Sequence, residues 1–273
     1  MEDLNFTEGA VILIDKPLDW TSFDVVNKIK FALKKKYGVL KIGHAGTLDP
    51  KATGLLIVCT GKKTKEIQQI QDADKEYTGS IFLGATTECY DTERPVNQTY
   101  DISSITPQEI LNCAHSFIGE QEQFPPAHSA VKINGKRAYE LARAGKEVIV
   151  KSKIITIKNF ELTRIEIPYI DFKVSCTKGT YIRSLANDFG KRLNNGAYLH
   201  ALRRISIGNY HIKDAYKIDD FLENQKQHSK KTLVLSDIFQ SGLFTDELYA
   251  QVSQLIISNK IKRVIVIGET ISK

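Results

Sequence analysis

The segment Gly43-His44-Ala45-Gly46-Thr47-Leu48-Asp49-Pro50-Lys51-Ala52-Thr53-Gly54 carries one carboxylate, Asp49, near its centre. The glycines let the backbone bend and approach a ligand closely. Pro50 removes a backbone donor and biases Asp49 away from the helical region. The apolar run Leu55-Leu56-Ile57-Val58 follows. A carboxylate on a loop that leads into a buried strand suits nucleophilic or general-base chemistry. Asp-Pro is also an ordinary turn pair, so the chemistry depends on partners.

Arg183 is the first candidate partner. Cys176-Thr177-Lys178-Gly179-Thr180-Tyr181-Ile182-Arg183 reads as a strand, a glycine turn and the first turn of a helix. A guanidinium there could pair bidentately with a carboxylate, keeping it ionised and oriented; most helix arginines are merely solvated. Tyr77 could stack on a ligand or pack in the core. His44 is either a turn residue or a reader of substrate. Basic side chains near the loops (Lys16, Lys65, Lys132, Lys136, Arg137 and Arg143, with Tyr139 among them) suit RNA phosphates and bases, although each alone reads equally as a solvated charge.

Other site types fail on spacing. Gly61-Lys62-Lys63-Thr64 resembles a P-loop, but six residues separate Gly54 from Gly61 where four are required. The six histidines form no H-x-x-x-H or H-x-x-H pair, and the four cysteines form no C-x-x-C pair, which predicts no metal site and reduced thiols.

The elements that must position these residues follow from periodicity. Residues 10–14 read as a strand. Thr21 or Ser22 caps a helix with Phe23, Val26, Ile29 and Leu33 at helical spacing, ended by Gly38. A strand over 55–59, a helix over 63–71 and a strand over 76–84 come next, then a helix with Pro107 in its first turn. Residues 119–137 read as an extended functional loop closed by an Asn134-Gly135 hairpin turn. Two β-rich stretches fill 148–176, and Ile182, Leu185, Phe189 and Leu193 mark another helix. Residues 225–231 read as a polar linker or loop, followed by a short helix around Leu248–Ile256 and a strand over 263–268. The pattern predicts one α+β unit over residues 8–217, with a change of character from about residue 222.

The net charge of +6 permits a polyanionic partner without requiring one. An acidic start without an apolar core predicts no signal peptide, and no apolar run approaches the length of a membrane span, so a cytoplasmic protein is expected.

Taken in order, these segments resemble the bacterial tRNA pseudouridine-55 synthases, the TruB family. The GHAGTLDP loop with Ala52-Thr53-Gly54 resembles the family's catalytic motif. Asp15-Lys16-Pro17 with Trp20-Thr21-Ser22, Asp74-Lys75-Glu76-Tyr77, Ser129 through Arg143, Lys178 through Arg183, and Leu202-Arg203-Arg204 match in sequence order. The resemblance implies Asp49 as catalytic aspartate, Tyr77 as the tyrosine against the target base, and Arg183 as the aspartate's partner. It implies His44, Tyr181 and Leu202 around the flipped nucleotide, and Lys16, Lys65, Lys132, Lys136 and Arg143 near RNA. It implies as well the pseudouridine synthase-like α+β fold, a mainly antiparallel mixed central sheet flanked by helices and RNA-binding loops, with residues 1–221 as the catalytic domain and 222–273 as a short C-terminal segment. It further implies uridine isomerisation in the TΨC loop after base flipping, without cofactor or obligate protein partner, by a monomer that recognises the T arm of tRNA. Residues 84–91 keep the family's Thr- and Asp-rich loop only in part, and the C-terminus does not resemble its PUA module. The alternatives are a non-catalytic RNA-binding protein or tRNA chaperone of the same fold, which retention of Asp49, Tyr77 and Arg183 together disfavours, and a metal-free glycoside hydrolase, for which no second carboxylate is placed.

Overall fold

The computed structural model describes residues 4–126 and 151–230, side chains through 225, and the short segments 132–133, 136–137, 232–235, 253–254 and 263–266. Its strands are β1 (Val11–Lys16), β2 (Ile42–Ala45), β3 (Ala52–Thr60), β4 (Lys75–Leu83), β5 (Ala85–Thr87), β6 (Val96–Thr99), β7 (Gly119–Gln123), β8 (Lys132–Ile133) and β9 (Lys136–Arg137). They continue with β10 (Lys153–Glu166), β11 (Tyr169–Cys176), β12 (Ala197–Ile207), β13 (Tyr210–His211), β14 (Tyr216–Lys217), β15 (Thr232–Leu235) and β16 (Arg263–Val266). The helices are α1 (Ser22–Tyr37), α2 (Ile67–Asp72), α3 (Pro107–His115), α4 (Ile182–Arg192) and α5 (Ile218–Lys230).

One mixed sheet organises the molecule, with strand order β14-β1-β3-β12-β4-β11-β10-β7. Most neighbours are antiparallel, as expected; β1 with β14 and β3 with β12 are parallel. The β3–β12 contact is short, pairing Leu202 with Ala52, Arg203 with Thr53 and Arg204 with Gly54. Two halves of the sheet join there, each with its own core. On one side Ile12, Ile14, Leu56 and Val58 pack under α1 and α5, with Phe6 and Phe221 among them. On the other, Phe160 and Phe172 meet Phe117 and Phe189 beneath α3 and α4. Burying each such side chain contributes about 1.5–3 kcal/mol.

Helix α1 shows how local signals set an element. The Thr21 hydroxyl accepts from Asp24 N–H while the Asp24 carboxylate accepts from Thr21 N–H, satisfying two orphan donors. Gly38, at φ 70°, closes the far end through Lys34 O. Val25, Val26, Ile29 and Leu33 form the buried face. Phe23, expected on it, is 66% exposed, because it sits about 100° round the helix from the inward Ser22.

Three further expectations are corrected. Residues 119–123 are a strand pairing with β10 at the sheet's edge, not the start of a loop. The polar stretch 225–230 continues helix α5. The helix expected over 63–71 divides into a 3-10 turn, Gly61–Glu66, and the short α2. Strands β8 and β9 pair with Ile133 opposite Lys136, as a two-residue hairpin connection requires. The predicted helix around 248–256 lies mainly outside the described residues. Among the described residues no helix is long and apolar enough to cross a membrane.

Candidate active site

The Asp49 loop bridges β2 and β3 and is pinned on every side. Ser22 Oγ accepts from Leu48 N–H at 2.8 Å and donates to Leu48 O at 3.0 Å. Arg204 reaches across from β12, donating to Gly46 O at 2.9 Å and Leu55 O at 2.8 Å. Asp19 N–H donates to Pro50 O at 2.9 Å. Gly54, at φ +100°, sits where an added Cβ would lie 2.3 Å from Arg204 O, so the close β3–β12 approach requires glycine.

Lys16, expected against RNA, is instead fully enclosed. Its ammonium donates to Pro17 O at 2.8 Å and Trp20 O at 2.5 Å, and lies 3.4 Å from Pro50 O. Strand alternation turns this lysine inward, where three carbonyls replace water. Burial lowers its pKa to about 8, with Asp49, Asp19 and Asp24 opposing the shift.

The loop presents the Asp49 side chain to a cleft, 40% exposed. Arg183, buried in the first turn of α4, places Nε 2.9 Å from Asp49 Oδ2 and 3.6 Å from Asp91 Oδ2. Its NH1 donates to Cys89 O at 3.2 Å. Asp91 is itself buried and fixed, with Oδ1 accepting from Glu93 N–H and Cys89 Sγ at 2.9 Å each. One guanidinium therefore faces an open carboxylate and a closed one. The cleft beside Asp49 and Arg183 is lined by Ala52, Asp91 and the Leu199–Leu202 segment of β12.

Tyr77 on β4 lies opposite Arg204 on β12 and is buried. Burial raises the Tyr77 pKa, against the nearby Arg204, so its hydroxyl stays protonated at neutral pH. His44 lies on β2; burial, followed by the Arg204 charge, lowers its pKa, and the imidazole is neutral. Its Nδ1 is buried without a hydrogen bond of good geometry. Tyr181 caps α4, its backbone held by Gln123 in two reciprocal bonds of 2.8 and 3.1 Å.

The structure thus brings Asp49, Arg183, Tyr77 and Leu202 to one junction, with Tyr181 two residues before Arg183. Lys65 is exposed but follows the far end of β3. The side chains of Lys132 and Lys136, and all of Arg143, lie outside the described residues. Among the described residues, no three His, Cys, Asp or Glu side chains converge as metal ligands would.

Two residues around Asp49 escaped the sequence reading. Arg204 matched only as part of a motif, yet period-2 alternation along β12 aligns it with Leu202 and sends Arg203 the other way, to Asp15. Asp91 belongs to a segment that keeps the expected loop only in part, and its partner Arg183 is far away in sequence.

In sequence and in fold the chain is similar to known proteins. Residues 34–182 match the model of the TruB family pseudouridylate synthase N-terminal domain. The tRNA pseudouridine synthase B of Flavobacterium johnsoniae is 52% identical over 222 residues, covering 80% of this chain and 97% of that protein. The protein of the same name from Chlorobaculum tepidum is 51% identical over 213 residues, covering 78% and 89%. Among solved structures, an H/ACA RNP bound to a substrate RNA containing 2′-deoxyuridine superposes with TM-score 0.58 at 27% identity, covering 80% of this chain and 53% of that one. An archaeal box H/ACA sRNP complex gives 0.60 at 25%, covering 82% and 56%. The chain spans little more than half the length of those solved chains.

Proposed function

The chain belongs to the TruB family of pseudouridylate synthases, and from that premise we propose that it converts uridine to pseudouridine at position 55, in the TΨC loop of tRNA, with Asp49 as the catalytic carboxylate. The observation that carries this is the Asp49–Arg183 pair, 2.9 Å apart at an open cleft where the two half-sheets join. The reaction breaks the N1–C1′ bond, turns the base and joins C5 to C1′; the C5 proton leaves and N1 gains one. Nothing is imported, so the side chains present must suffice. Asp49 either attacks the sugar, attacks the base or removes the C2′ proton. Arg183 holds the carboxylate in a fixed direction. The neutral, buried Tyr77 and apolar Leu202 suit a face against which freed uracil stays trapped. A stacked loop base must first be extruded.

Lys65 and the lysines of residues 132–136 supply phosphate contacts in this reading, and the enzyme works as a monomer without an obligate partner. The relatives' shared name supports tRNA as the substrate class. Incubation with unmodified tRNA and with a T-arm hairpin, followed by base-resolution mapping, tests the assignment. Modification of the T-loop uridine in both is expected; modification elsewhere, or of full-length tRNA alone, overturns the position or its recognition.

A further inference from the structure

We infer that Arg204 is a positioning residue for the isomerisation, tying the Asp49 loop to the Tyr77 hydroxyl so that carboxylate and tyrosine keep one fixed spacing. The inference rests on the reading above and adds to it a residue enclosed behind the site. Arg204 stands where main-chain pairing of β12 stops on one side and slips on the other. It makes the last of three pairs with β3, opposite Gly54. On β4 it faces Tyr77, one step before a register shift, the next pair being Ser206 with Glu76. At this point of the seam the side chain takes over from the ladder.

The guanidinium divides between the two halves. Nε donates to Leu55 O at 2.8 Å and NH2 to Gly46 O at 2.9 Å, so one group holds the loop before Asp49 and the strand after it. Gly46 takes φ +91° there, and an added Cβ would lie 3.4 Å from NH1; this backbone is strained for any residue with a side chain. On the other half the guanidinium stands against the Tyr77 hydroxyl. An arginine only donates, so the hydroxyl presents a lone pair to it and turns its proton away. The neighbouring Arg203 is paired with Asp15, whereas Arg204, 2% exposed, makes no ion pair among the described residues. The acid whose charge favours it is Asp49. A buried cation without a paired acid is costly, and an apolar side chain of similar volume serves packing alone at lower cost. What the guanidinium adds is the fork that reaches the loop and the tyrosine together.

Arg204→Lys keeps the charge and loses the fork, and single-turnover rates with equilibrium binding of unmodified tRNA separate positioning from stapling. The variant should bind within about twofold of wild type and turn over, at saturating RNA, at least about tenfold more slowly. In a Tyr77→Phe background the same substitution should cost about threefold at most, because the hydroxyl it aligns is gone. A staple alone would lower the unfolding temperature, spare the turnover of folded protein and act alike in both backgrounds. A loss of turnover below about tenfold, a loss carried by weaker binding, or equal losses in the two backgrounds each overturns the positioning role. Arg204→Gln, which keeps an amide donor without the charge, replaces lysine if that variant does not fold, with the same pattern expected. A chain that folds with neither makes Arg204 structural and overturns the inference. Wild type that forms no pseudouridine overturns the assigned reaction; wild type and Arg204→Lys forming it at equal rates overturns the positioning role alone.

Discussion

The two half-sheets that meet at β3 and β12 contribute to the site by different means. The half built on β1, β2 and β3 supplies Asp49, and the groups that hold it act on main chain. Lys16 binds Pro17 O and Trp20 O, Ser22 binds Leu48 at both ends of its peptide unit, and Arg204 crosses over to Gly46 O and Leu55 O. The half built on β4, β10 and β11 supplies Arg183 and Tyr77, and there a charged side chain is held by another through Asp91. One half fixes where the carboxylate is. The other fixes its direction. The division teaches that a site at a junction can be broken from either side, with different symptoms.

The largest effect should come from the carboxylate itself. Asp49→Asn keeps the shape of a side chain whose loop is anchored through backbone, so folding and tRNA binding should survive. Turnover should fall at least about a thousandfold, roughly 4 kcal/mol of barrier. Single-turnover rates with equilibrium binding on the same tRNA decide it, and a loss below about tenfold removes Asp49 from the chemistry.

Arg183→Lys should come next, with turnover lower by about a hundredfold, because an ammonium cannot face Asp49 and Asp91 as the planar guanidinium does. Asp91→Asn should cost about tenfold, and the double variant should cost less than the product of the two, since both act through one network. Multiplicative losses would mean that Asp91 does not work through Arg183, and the contrast between the halves would lose its second term.

What the sequence shows of these halves depends on how local each cause is. The cap of α1 is written in Thr21, Asp24 and Gly38, all within one helix. The Asp49 loop is legible because Pro50 restricts the backbone while Gly46 and Gly54 permit the positive φ they adopt. Lys16 is not legible as a buried residue, since its partners at 17, 20 and 50 are assembled only by the fold. Strand β7 is hidden by its composition: Gly-Glu-Gln-Glu-Gln reads as loop, and only its place at the sheet's edge tolerates so polar a strand. The bulge at His200, between Leu199 opposite Ile81 and Ala201 opposite Ser80, leaves no trace in the hydrophobic pattern, because Tyr198-Leu199 and Ala201-Leu202 flank it with apolar residues on both sides.

A smaller, pH-dependent effect tests the main-chain anchoring. Burial lowers the Lys16 pKa from 10.5 to about 8. Between those values the unfolded chain binds more protons at this position than the folded one, so the contribution of Lys16 to stability should rise with pH across that window. Turnover should move the other way above about pH 8, because the neutral amine has one proton fewer for the carbonyls it holds. Lys16→Met should remove that contribution, so that the stability of wild type relative to the variant rises with pH, measured by denaturant unfolding of both at pH 7.5, 9 and 10. An unchanged pH dependence in that variant would place its origin elsewhere.

The smallest effect is expected at Lys65. Its neighbours Lys62 and Lys63 are paired with Glu8 and Glu66, whereas Lys65 is exposed and makes no ion pair among the described residues. From Ala52 to Thr60 strand β3 rises about 26 Å, and Lys65 follows that far end. It therefore cannot touch the nucleotides that Asp49 acts on; a phosphate it contacts must belong to a more distant part of the RNA. Lys65→Ala should leave turnover at saturating RNA unchanged and lower the slope of log affinity against log salt by about one for full-length tRNA. The same substitution should change the slope for a T-arm hairpin less than the slope for full-length tRNA. A slope that falls equally for both RNAs would bring Lys65 close to the cleft and blur the separation between anchoring and binding. A slope unchanged for both would make it a solvated charge on a half whose contribution ends at the Asp49 loop.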